Sequence, residues 1–127
     1  MTRAFLILSA LIWLPYGVYC FVTPAALAAS AGVTFQSPTG STELRAMYGG
    51  LQAALGALAG LAALRPALVR PALVAIGFLT AGLAAARALG VALDGGFGAY
   101  TAMGLGFEIA SASIAAVLLR RAQPRSA

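Results

Sequence analysis

Four apolar stretches, each about as long as a bilayer is thick, fill nearly all of the 127 residues. They run roughly from Ala4 to Leu27, Leu44 to Leu64, Ala72 to Val91 and Phe97 to Leu119, and a helix needs about 20 apolar residues to cross a hydrocarbon core near 30 Å. Lipid offers no water to backbone N–H and C=O groups, so only helices and closed barrels span it, and these runs lack the two-residue alternation of barrel strands. The expected fold class is therefore all-α: one integral membrane domain over residues 1–127, folded as a four-helix bundle. With 61% hydrophobic and 9% charged residues, the chain is far from the quarter charged typical of soluble domains, and a water-soluble core is excluded.

A net charge of +5 would suggest nucleic acid in a soluble protein. Here the arginines stand singly at span ends without interleaved aromatics, so nucleic acid is not an expected partner. Arg3 precedes the first span, Arg65 and Arg70 bracket the link between the second and third, and Arg120, Arg121 and Arg125 follow the fourth. The two opposite connections carry none, so six of eight arginines fall on one side and both termini are expected to be cytoplasmic. Arg3, an apolar run and the small residues Ala25 to Ser30 also read as a signal peptide, but the first span is longer than such an apolar region and is read as retained. Cys20, the single cysteine, reads as apolar filler.

Pro15 in the first span predicts a kink near its middle, and Pro24 an early end. The Ala28 to Ser41 stretch is expected to be the longest non-spanning piece. Thr39, Ser41 or Thr42 is expected to cap the second span, with Glu43 in its first turn complementing the helix dipole. That span is rich in small residues, and Gly56-x-x-x-Gly60 suggests a close helix contact, within the bundle or between subunits. Two prolines make Arg65 to Pro71 a short turn, and Asp94-Gly95-Gly96 is a second.

A charge at the centre of a membrane helix costs roughly 2.5 to 3.5 kcal/mol, so each one needs a partner or a route to water. Glu43 and Arg45 stand at the outer mouth of the second span, Arg87 about one turn below the outer end of the third, and Glu108 near the middle of the fourth. Thr101, Gly104, Glu108, Ser111 and Ala115 follow the three-and-four spacing of one helix face. Gly77, Thr80, Ala84 and Arg87 do the same on the third span, as do Arg45, Tyr48, Gln52 and Gly56 on the second. Three helices thus offer polar residues to one interior region, with Arg87 reaching toward Glu108 across roughly two helical turns of depth. The pair either locks the bundle or lines a pocket for a ligand, headgroup or proton; otherwise Glu108 is carried neutral.

The run Thr42-Glu43-Leu44-Arg45-Ala46-Met47-Tyr48-Gly49-Gly50, with Ala86-Arg87, Asp94-Gly95 and Phe107-Glu108 following, resembles the bacterial four-helix membrane proteins grouped as domain of unknown function 4345. The resemblance covers almost the whole chain. It implies a four-span bundle in a bacterial inner membrane with Glu43, Arg45, Tyr48, Arg87 and Glu108 as the positions to watch, and it brings no established activity.

Catalytic equipment is sparse: the chain has no histidine, one cysteine, no carboxylate cluster with metal spacing and no phosphate-cradling loop, so no metal or cofactor is expected. The leading expectation is a non-catalytic membrane module, an accessory or scaffold subunit of a larger complex or a small homo-oligomer, in contact with membrane lipids. A binder or transporter of a small amphipathic molecule, using Glu43, Arg45, Tyr48, Gln52, Arg87 and Glu108 as an outer-leaflet polar pocket, is the alternative. Small multidrug transporters share its size but carry their carboxylate in the first span, which here has none. An enzyme acting on a lipid-like substrate, with Glu108 as acid or base, is a third class.

Overall fold

The computed structural model describes residues 1–121, and no strand occurs among them. Arg125 and Ala127, which the charge pattern assigns to the cytoplasmic side, lie outside the described residues. Helices α1 (Thr2–Val22), α2 (Ala26–Ala31) and α3 (Pro38–Leu44) come first, and α3 continues through a π-helical turn, Arg45–Gly50, into α4 (Leu51–Leu64). A 3-10 turn, Pro66–Leu68, then leads to α5 (Val69–Asp94) and α6 (Ala99–Arg121). Four helical segments are long and apolar enough to cross a membrane: Thr2–Val22, Pro38–Leu64, Pro66–Asp94 and Ala99–Arg121.

The boundaries differ from the sequence reading for identifiable local reasons. Leu27 belongs to the separate helix α2 because Pro24 bars the α conformation at Thr23, whose φ of −126° and ψ of 72° end α1. The second segment starts earlier than expected, at Pro38, so the loop shrinks to residues 32–37. Its cap is Ser37, which accepts from Gly40 N at 3.1 Å, rather than Thr39, Ser41 or Thr42. Pro38 follows at the first helical position, where a missing N–H loses nothing. Glu43 consequently sits in the second turn, beyond the strongest part of the helix dipole. Pro71 is likewise absorbed into the first turn of α5, which lengthens the third segment.

The chain divides into two compact units, Met1–Val69 and the part from Arg70 onward. In the first, α1 lies antiparallel against the segment Arg45 to Leu64, and the contact is made by absent side chains. A Cβ on Gly56 would stand 2.7 Å from Leu14 Cα, one on Gly17 2.7 Å from the Gly49 carbonyl oxygen, and one on Gly49 2.8 Å from Phe21 Cα. Gly60 faces Ala10 at an ordinary 3.6 Å. Steps of four, three and four residues along α1, from Ala10 through Leu14 and Gly17 to Phe21, are matched by equal steps back from Gly60 through Gly56 and Ala53 to Gly49. The Gly56 contact is therefore internal to the unit.

In the second unit, α5 and α6 form an antiparallel hairpin, with Gly77 near Ala115 at one level and Arg87 beside Gly104 and Glu108 at another. Gly95, at φ +70°, turns the link, and its N–H donates to Val91 O at 2.9 Å.

Both units bury mainly apolar side chains, among them Leu6, Leu55, Leu73 and Ile76, with a few polar ones between them, while many large apolar side chains remain on the outside. Ser9, Thr80, Glu108 and Ser111 are buried, whereas Leu11, Val18, Phe78, Leu89, Met103 and Ile109 are exposed. Two of the buried hydroxyls turn back on their own helices: Ser9 donates to Phe5 O at 2.8 Å and Thr80 to Ile76 O at 2.7 Å. The stripe read on the fourth span matches a buried face of Glu108, Ser111 and Ala115, and Leu118 extends it.

The glycine contacts make a graded prediction. Gly56→Ala forces a methyl group into the Leu14 backbone and is expected to destabilise by about 1 to 3 kcal/mol, whereas Gly60→Ala is tolerated and Gly82→Ala, which meets open space, is neutral. Unfolding in mixed micelles, followed by circular dichroism, ranks the three; equal effects of Gly56→Ala and Gly82→Ala would contradict the backbone contact.

Candidate functional site

Arg87 stands seven residues before the end of α5 and Glu108 nine after the start of α6. At about 1.5 Å of rise per residue, their levels along the hairpin differ by roughly 3 Å. The two turns of depth anticipated between them do not exist, because α5 continues to Asp94 and moves Arg87 deeper relative to its end.

The guanidinium meets the carboxylate side-on. Nη2 donates to Oε1 at 2.7 Å, and Nε donates to Oε2 at 3.0 Å and to Oε1 at 3.2 Å. The Glu108 side chain is 4% exposed and that of Arg87 26%, so the acid is enclosed while the base keeps an edge open. Two residues of α6 complete the seat. Gly104 leaves the room that the guanidinium occupies, since a Cβ there would come within 3.0 Å of Arg87 Cζ. Tyr100, one helical turn earlier, sets its ring 5.9 Å from Arg87 Cζ, within cation–π range. Tyr100 was not singled out from the sequence, although its spacing of four from Gly104 and eight from Glu108 continues the same stripe.

Arg45 is engaged differently. Its Nη1 donates to the carbonyl oxygen of Phe21, and its Cζ lies 5.6 Å from the centroid of the Phe21 ring. Phe21 is the penultimate residue of α1, where carbonyls have no intrahelical donor, so Arg45 caps that helix from the π-helical turn. The turn is closed by the Leu51 N–H donating to Ala46 O, five residues back. This wider turn offsets the regular three-and-four spacing assumed for Arg45, Tyr48, Gln52 and Gly56. Gly49 and Gly56 are buried, while Arg45, Tyr48 and Gln52 are half-buried. Gln52 Oε1 is buried with no hydrogen-bond partner among the described residues. Glu43 is exposed and forms no ion pair among them.

Of the six residues chosen from the sequence, Arg87 and Glu108 form one pair in the second unit. Glu43, Arg45, Tyr48 and Gln52 lie on the α3–π–α4 segment of the first. Both carboxylate oxygens accept from a single guanidinium, which engages them through Nε and Nη2.

Arg87→Ala leaves Glu108 enclosed without a counter-charge and is expected to destabilise by about 3 to 5 kcal/mol. Glu108→Gln keeps the shape and one acceptor and is expected to be milder. Thermal unfolding of both variants in detergent checks the order, and an equal or reversed ranking would contradict the enclosed pair.

Searches of curated proteins and of solved structures return no match. Residues 1–119, which contain both Arg45 with its π-helical turn and the Arg87–Glu108 pair, match the family described as Domain of unknown function (DUF4345), and the chain belongs to that family.

Proposed function

We propose that the chain is a non-catalytic integral membrane module, multi-pass in the bacterial inner membrane with both ends cytoplasmic, acting as an accessory or scaffold subunit or as a small homo-oligomer. The observation that carries this reading is the side-on pairing of Arg87 with Glu108, which commits the most enclosed charge among the described residues to holding α5 against α6. Four segments of spanning length with apolar outer faces support insertion. The arginine asymmetry supports the orientation. Outer faces of this kind meet lipid chains or the helices of a partner equally well, which suits a subunit embedded among other spans.

The alternative is a binder or transporter of a small amphipathic molecule through a polar pocket. It rests on Gln52, whose buried Oε1 has no hydrogen-bond partner among the described residues.

Replacing both members of a buried ion pair with apolar residues is often neutral or stabilising. Arg87→Met with Glu108→Leu is therefore expected to give a stable, normally assembled protein that keeps whatever proteins co-purify with it. A double variant that folds but loses its associated component would reject the lock reading and favour a binding role for the pair. Reporter fusions at Ala127 and in the residue 32–37 loop are expected to report opposite sides, with Ala127 cytoplasmic.

A further inference from the structure

The first unit carries an open groove where α1 begins and α4 ends. Buried Leu6 lies at its base, Ala62, Ala63, Pro66 and Val69 form its apolar sides, and Arg3 stands among them as the single charged lining residue. Arg65, between the lining residues Leu64 and Pro66, is exposed beside it. Arg3 forms no ion pair among the described residues. The one acidic residue of this unit, Glu43, is 21 residues before Leu64 on the same helical segment, about 30 Å away along its axis.

An apolar groove with an unpaired guanidinium at a helix end has the chemistry of a site for a lipid with an anionic headgroup. The apolar walls suit an acyl chain, and the forked donors of Arg3 match a phosphate. A zwitterionic headgroup would bring an ammonium that finds no carboxylate near the groove within the first unit, so the charge arrangement there favours a net-negative lipid over a neutral one. Resting on the membrane reading above, this groove lies at headgroup level, because α1 starts at Thr2 and α4 stops at Leu64. We propose that the groove between the start of α1 and the end of α4 is a specific site for one anionic phospholipid, with its phosphate on Arg3 and a chain over Ala63 and Val69.

The test is native mass spectrometry of the full chain released from micelles containing either phosphatidylglycerol or phosphatidylcholine. One retained phosphatidylglycerol is expected, with clear preference over phosphatidylcholine. Arg3→Gln is expected to weaken its retention about fivefold and bring it close to that of phosphatidylcholine, while Arg3→Lys keeps the preference. Ala63→Phe, which fills the groove and leaves Arg3 in place, is expected to reduce retention of both lipids. Equal retention of the two lipids by the parent chain, or unchanged preference in Arg3→Gln, would overturn the site. Carbonate washing of cell membranes separates this from the membrane reading: a chain released by the wash overturns both, whereas one that stays in the membrane without lipid preference overturns the site alone.

Discussion

Large apolar side chains cover the outside of these helices, and in the membrane setting proposed above pressing more of them together gains little, so cohesion there comes from close backbone approach and paired polar groups. The two units meet this constraint in different ways. The first removes side chains: Gly17, Gly49 and Gly56 let α1 and the π–α4 segment approach until backbone atoms touch, and dispersion across that contact replaces hydrophobic burial. The second adds charge, with Arg87 and Glu108 joining α5 to α6 through three hydrogen bonds in which Gly104 gives the guanidinium its space. A glycine thus serves both devices, once to admit a backbone and once to admit a side chain.

The π-helical turn links the capping of α1 to its packing. Arg45 and Gly49 belong to the same six-residue turn, and both act on Phe21: one through its carbonyl and ring, the other through close contact with its backbone. A wide turn is tolerated where Gly49 and Gly50 relax the backbone, and such turns are frequently found at functional positions. Here its visible work is to finish α1, whose last carbonyls would otherwise lack donors. Arg45 at the end of α1 and Arg87 with Glu108 between α5 and α6 thus each hold helices together, the role on which the non-catalytic module proposed above rests.

Much of the architecture was legible because it depends on local properties. The number of helices long and apolar enough to span a membrane follows from run length. The inward face of α6 follows from the recurrence of Thr101, Gly104, Glu108, Ser111 and Ala115, and the pairing of Arg87 with Glu108 from the expense of leaving either charge alone in an apolar setting. The boundaries were less legible. Ser37 with Pro38 starts a helix earlier than hydropathy alone suggests, and Pro24 cuts Leu27 away from α1 although the apolar run continues. The partner of Arg45 was invisible for a different reason: a backbone carbonyl such as that of Phe21 has no residue type to betray it, and its availability depends on where α1 ends.

By itself, then, the sequence determined the helical class, the count of segments long and apolar enough to span a membrane and the partners of the Arg87–Glu108 pair, since apolar length, periodicity and charge are properties each residue carries with it. Only the tertiary structure decided which glycines matter. Gly56 and Gly60 are equivalent in a pattern of small residues, yet one touches the Leu14 backbone and the other merely meets a methyl group of Ala10. It also decided the π-helical turn and, with it, the placing of Arg45 on Phe21. Such distinctions arise from the register of two helices separated by a loop, which no single helix can specify from its own spacing.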